Sequence, residues 1–399
     1  MKGSPSFAAV SVIALAAACA PADQASDAGA EADAALQTYV EMLGTDTMAI
    51  ERFRREADRI EGTLVVRAPM TEVHTYTAEL GGDGSVTRLS GTIAVPGTNA
   101  GARPDRSYEA VVRGDSVDIE TVSGVDTTRT TMAMPEAAMP VPPRTPAPPS
   151  FLALAADRLP DQAAEAPLAL INPFANGPTR SGLVRGADGS VGVLYFGNPL
   201  LVSREADGTI RVSGRETTMR IEIAPADGPL DVLALADDFA ARDAAGTGIG
   251  VPSPADTASG TVAGADLEIA YSQPAVRGRE VWGGLVPFGE VWRTGANAAT
   301  TFSTSADIVL GDVAIPAGEY TLWTLFSEDG GTLIVNSQTG QWGTAYDEAQ
   351  DFARTSLEQE PVPNPVERFT IGVEGDAGGG RLTLTWDDRR YFVPISAGG

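Results

Sequence analysis

Three short segments, GGDGSV (81–86), GADGSV (186–191) and EADGTI (205–210), each set Asp-Gly between apolar or β-branched runs. Glycine accepts the positive φ that a tight hairpin turn needs, and aspartate tolerates it. Used three times, the device points to an antiparallel meander, not to a parallel α/β sheet. The alternating Asp-x-Asp-x-Asp-Gly ladder of a calcium loop is missing from all three.

The runs between such turns agree. TLVVRA (63–68), TEVHTYTAEL (71–80) and SVTRLSGTIAV (85–95) are short, partly alternating and rich in β-branched residues. A proline-rich stretch, MAMPEAAMPVPPRTPAPPS (132–150), reads as an extended crossing segment. It leads into a helix over 151–159 with Ser150 placed to cap it. A second helix is expected over 230–246, with Val232, Leu233, Leu235 and Phe239 on one face and Gly246 as its stop. Composition marks 246–263 as a linker. Beyond it LEIAY (267–271), EYTLWTLF (319–326), TLIVN (332–336), ERFTIGV (367–373) and RLTLTW (381–386) read as strands, with DAGGG (376–380) as the last hairpin. Roughly seven short strands in about 135 residues suggest a sandwich or small barrel. The expected fold is mainly β in two β-rich domains. The first, 37–245, is a meander or curled sheet with one or two helices; the second is 264–399.

The N-terminus carries a different signal. Lys2 precedes an apolar run from Phe7 to Ala18, too short to span a bilayer, and Leu15-Ala-Ala-Ala-Cys19 resembles a lipoprotein lipobox. Cys19 is the only cysteine of the chain, and it stands at the one position that lipidation requires. Residues 1–19 are therefore expected to be a signal peptide, Cys19 the lipidated residue, and 20–36 a solvated tether. These features together lead to the expectation of an outer-membrane lipoprotein of the cell envelope, facing the periplasm or the exterior. With 53 acidic against 28 basic residues the formal charge is −25, which repels nucleic acid and anionic lipid. The membrane is expected to be touched only through the anchor.

Chemistry is constrained by what the chain contains. His74 is the only histidine, and it sits on an alternating strand where a surface or rim position is expected. Histidine and cysteine are absent from the C-terminal half, so triad catalysis and the usual zinc sites are excluded there. No Walker loop, dinucleotide fingerprint or nucleophile elbow is present, and no cofactor is expected. Asp347 and Asp351 in YDEAQDFAR (346–354) would share a face of a helix, where they could hold a metal or simply offset the helix dipole. The five tryptophans all lie in the last third; Trp323 and Trp386 are expected in the core, whereas Trp282 and Trp292 flank glycine turns.

Two stretches give this region a likeness. SQPAVRGREVWGGLVPFGEVWRTGANAATTF (272–302), followed by IPAGEYTLW (315–323) and QTGQWGTAYDEAQD (338–351), resembles the bacterial domain-of-unknown-function family 2911 over about residues 262–399. The resemblance implies an exported β domain and no catalytic assignment. Many relatives carry glutamate and tyrosine where this chain has Ala298 and Phe288. The candidate ligand-binding residues are Arg279, Trp282, Trp292, Arg293, Thr294, Asn297 and Thr300, expected on a concave face where orienting donors adjoin aromatic surface. Arg293 offers a fork suited to carboxylate or phosphate.

The expected function is a non-catalytic ligand-binding module for an unknown small molecule or envelope component. A metal-assisted hydrolase using carboxylates and an envelope assembly protein are the alternatives.

Overall fold

The three Asp-Gly turns share one geometry. Gly84, Gly189 and Gly208 have φ of 76°, 87° and 87°. In each, the aspartate Oδ1 accepts the N–H two residues on: Ser85 on Asp83 at 2.9 Å, Ser190 on Asp188 at 3.0 Å, Thr209 on Asp207 at 2.9 Å. Side chain and backbone thus specify each turn together.

The computed structural model describes residues 36–97 and 105–398. The expected signal peptide, Cys19 and the tether apart from Leu36 lie outside the described residues. The described chain is mostly strand, in two sheets of 15 and 10 strands, neither of them a closed barrel. Both sheets fall within one compact unit that begins at Gln37.

The first sheet opens as a meander of β1 (Gln37–Leu43), β2 (Asp46–Arg55), β3 (Arg59–Val66), β4 (Glu72–Leu80), β5 (Val86–Ala94), β6 (Arg106–Arg113), β7 (Ser116–Ser123) and β8 (Asp126–Ala133). The chain then crosses through β9 (Ala138–Pro140) and α1 (Pro149–Ala156). It meanders back through β10 (Glu165–Ile171), β11 (Thr179–Arg185), β12 (Val191–Tyr195), β13 (Asn198–Arg204), β14 (Ile210–Ser213) and β15 (Glu222–Pro225), which pairs with β1. β8 and β9 are left as the two edges.

The sheet curls around α1. Phe151 of α1 meets Tyr76 of β4 edge-on at 5.6 Å, while the helix also packs on β12, β13 and β14. Glycines make room on that inner face: Gly62, Tyr76, Gly91 and Tyr108 are successive cross-strand partners. A Cβ on Gly62 would lie 2.3 Å from the Tyr76 oxygen, and one on Gly91 2.5 Å from the Tyr108 oxygen. Each tyrosine thus lies over a glycine, which lets the sheet bend tightly about its core.

Several local expectations give way to tertiary contacts. Ser150 lies inside α1, not at its cap; its N–H (2.9 Å) and hydroxyl (2.6 Å) both donate to Glu51 of β2, which also accepts from Tyr76. The second helix, α2 (Val232–Ala244), is capped by Asp231 and followed by Gly246 at φ 71°. It covers the outer face of the sheet with Val232, Ala236 and Phe239 against Ile50 and Val65, and Leu233 is exposed, contrary to expectation. His74 is also no rim residue. It is 2% exposed, with Nε2 3.2 Å from Glu72, which pairs in turn with Arg106.

The second sheet contains β16 (Ala255–Val262), β17 (Ala265–Ser272), β18 (Val291–Trp292), β19 (Thr300–Thr304), β20 (Ile308–Leu310), β21 (Val313–Ile315), β22 (Gly318–Phe326), β23 (Gly331–Asn336), β24 (Asp351–Asp376) and β25 (Gly379–Ala397). β16 occupies the latter part of the expected linker. The two long strands bend where their register shifts, between Pro361 and Thr370. Their far halves return to β16 and β17: Ala263 donates to the Asp376 carbonyl and Ile371 to the Tyr271 hydroxyl. An aromatic core is enclosed between the layers.

Candidate functional site

β18 is only two residues long, and its alternation sorts core from surface. Trp292 points inward, stacking on Trp386 (5.8 Å, 14°) and meeting Phe369 at 5.1 Å. Arg293 consequently points to the opposite face. The chain then turns through Thr294 (φ 53°), Gly295 (155°) and Asn297 (61°), three left-handed positions within four residues. Non-glycine residues in this region carry strain and persist only where neighbours hold them. Here Thr300 donates to the Thr294 carbonyl (2.8 Å), and the Thr294 hydroxyl bonds Thr324 of β22 (3.1 Å).

The arginine is seated by a second loop. A Cβ on Gly343 would come within 2.4 Å of the Arg293 Cδ, so the side chain lies directly across that glycine. The Asn297 carbonyl accepts from Gly343 N (3.0 Å) and more loosely from Arg293 Nη1 (3.4 Å). The Asn297 carboxamide donates to the Ser253 carbonyl and the Ser272 hydroxyl, both at 3.3 Å. Trp342, bridged to Ala298, is 53% exposed.

Among the described residues, no carboxylate lies within ion-pair distance of Arg293. Burial alone pushes its pKa down, with no acidic neighbour to oppose the shift. Arginine nonetheless keeps its charge, so a partly desolvated cation is held here by fixed loops. Such a group can take an anion bidentately, and the neighbouring indole offers flat apolar surface.

The sequence-derived site is thus only partly brought together. Arg293 and Asn297 share one turn, and Thr294 and Thr300 brace it from buried positions instead of facing a ligand. Trp282 and Trp292 are core residues, not walls of a concave surface. Trp282, 8% exposed, meets Phe326 and Tyr391 edge-on, each at 5.2 Å. Their large apolar area is more stabilising buried, at roughly 25 cal/mol per Å². Arg279 spends its guanidinium on the Ala275 (2.6 Å) and Val276 (3.1 Å) carbonyls; burial and then Arg277 bring its pKa down to about 10. Trp342 and Gly343 are not among the residues that sequence reasoning selects, although glycines on both sides of a tryptophan in GQWG mark an exposed aromatic turn.

The aspartate pair behaves differently from expectation. Asp347 caps a three-residue 3-10 turn (Glu348–Gln350), and β24 starts at Asp351, so no helix aligns them. Asp351 already accepts from Asn336 (2.9 Å), Tyr346 (2.7 Å) and Arg354 (2.6 Å). Among the described residues no group of three or more His, Cys, Asp or Glu is placed to hold a metal.

Residues 253–395 match the family described as Protein of unknown function (DUF2911). The DUF2911 region contains Arg293, Asn297, Trp342 and Gly343, and it begins two residues before β16. No curated protein matches the chain.

Proposed function

We propose that this is an exported, lipid-anchored envelope protein whose DUF2911 region binds a small anionic ligand without transforming it. The observation that carries this reading is Arg293: a half-buried guanidinium seated on Gly343 that lacks an acidic partner among the described residues. Its anion would be a carboxylate or phosphate, with Trp342 covering a flat apolar part of the same molecule. Lys2, the Phe7–Ala18 run and Cys19 support export and anchoring, and with them an outer-membrane protein facing the periplasm or exterior. The first sheet, with residues 37–245, would act as a scaffold domain joined to a ligand-binding domain of residues 264–399.

The test is calorimetric titration of the full chain with benzoate and with inorganic phosphate, compared with Arg293→Met. Methionine keeps the apolar stem and removes the fork. The reading expects at least one probe to bind wild type and to weaken about tenfold or more in the variant, at nearly unchanged melting temperature. Equal affinities in the two proteins, or binding to neither, would overturn it.

A further inference from the structure

β8 ends the fifteen-stranded sheet, and only β7 pairs with it among the described residues. Natural edges are usually blunted by proline, lysine, a bulge or brevity. β8 has no proline, lysine or bulge and is not short, running for eight residues, DTTRTTMA, in unbroken register with β7; its two charged residues are Asp126 and Arg129. Its longest side chain is turned back onto the sheet, with Arg129 Nε 2.6 Å from Glu120, and Thr131 likewise donates to Asp118 at 2.7 Å.

The two-residue turn Gly124–Val125 fixes which groups point outward. It closes on Ser123 and Asp126, and a pair closing such a turn exchanges hydrogen bonds. Alternation then commits the backbone of Asp126, Thr128, Thr130 and Met132 to β7. Thr127, Arg129 and Thr131 turn their N–H and C=O groups to the free side. Around Arg129 the strand is palindromic, Thr-Thr-Arg-Thr-Thr over 127–131.

We propose that β8 pairs antiparallel with β8 of a second copy, with the two-fold axis at Arg129. Thr127 then faces the partner's Thr131, Thr128 faces the partner's Thr130, and the outward-facing groups of one strand meet those of the other. Thr–Thr cross-strand pairs are favourable, and the interface is isologous as a two-fold requires. Each Arg129 arrives at the axis already neutralised by its own Glu120. Val125, 94% exposed in the single chain, falls opposite the partner's Ala133. The formal charge of −25 on each chain opposes the approach, so added salt tightens the dimer.

The test uses the full chain carrying Cys19→Ser, which cannot be lipidated and has no other cysteine. Sedimentation velocity across a concentration series should show a monomer–dimer equilibrium that shifts toward dimer as salt is raised. Thr127→Pro removes only an outward N–H, so it should give a monomer with an unchanged circular dichroism spectrum. Arg129→Cys should oxidise to a covalent dimer, because hydrogen-bonded partners lie about 5.5 Å apart at Cα, whereas Val125→Cys should not. A monomer at every concentration overturns the proposal. So does a dimer that Thr127→Pro leaves intact, or one that both cysteines trap equally.

Discussion

Arg277 of the DUF2911 region reaches across to Asp46, the first residue of β2, and its side chain is 6% exposed where that of Asp46 is 38% exposed. The contact is reinforced by backbone, since Thr45 N donates to the Arg277 carbonyl at 2.9 Å and the Arg277 N–H donates to Glu367 at the same distance. Arg277 adopts φ 49° to make these bonds. One residue therefore ties the two sheets together.

The unequal exposure predicts unequal mutational effects. Asp46→Ala leaves the buried guanidinium of Arg277 with only the Pro252 carbonyl, 3.3 Å from Nη2, and should cost about 2–3 kcal/mol. Arg277→Met leaves a carboxylate that water can reach and should cost about 1 kcal/mol. Urea unfolding of both variants measures the difference; equal losses would refute the asymmetry.

Glu51 offers a pH test. Burial raises its pKa above 4.5, opposed by the bonds from Ser150 and Tyr76 and by the charge of Arg144. A carboxyl group raised in the folded state contributes stability below its unfolded value and loses it as pH rises through the folded one. The stability of wild type minus that of Glu51→Gln should therefore be larger at pH 5 than at pH 8, with other carboxylates cancelling in the comparison. A difference independent of pH would contradict the assignment.

The hairpins are legible in the sequence because each is specified within six residues: Asp83, Asp188 and Asp207 build their turns from their own neighbours. Ser150 looks like a helix cap for equally local reasons, yet its partner Glu51 lies 99 residues away. His74 sits on a partly alternating strand and Glu51 follows the apolar run Met48-Ala49-Ile50, while α1 covers one face of the sheet and α2 part of the other. Periodicity alone could not tell which polar residues would be enclosed. In the DUF2911 region the motif residues are visible, but not which side of β18 each would face. Trp292 and Arg293 are adjacent, and a single step of alternation separates core from candidate site.

That separation is measurable. Trp292→Leu should cost about 3 kcal/mol by opening a cavity against Trp386 and Phe369. Trp342→Ala should stay within about 0.5 kcal/mol of wild type. Comparable losses would mean that the exposed indole is structural.

Gly343→Ala probes the seat of Arg293 without touching the arginine. The new methyl group would sit 2.4 Å from the Arg293 Cδ and 2.6 Å from the Asn297 carbonyl oxygen, so the side chain and the turn that carries Asn297 must both shift. Anion affinity should fall in this variant as it does in Arg293→Met, and unaltered titration curves would argue against Gly343 as the seat.

The most direct measurement is native mass spectrometry of the full chain, purified from bacterial envelopes without chelator, beside Arg293→Met prepared identically. An anionic small molecule should remain on wild type and be missing from the variant, with both proteins folded. The same adduct on both, or a bare mass for both, would contradict a ligand site at Arg293.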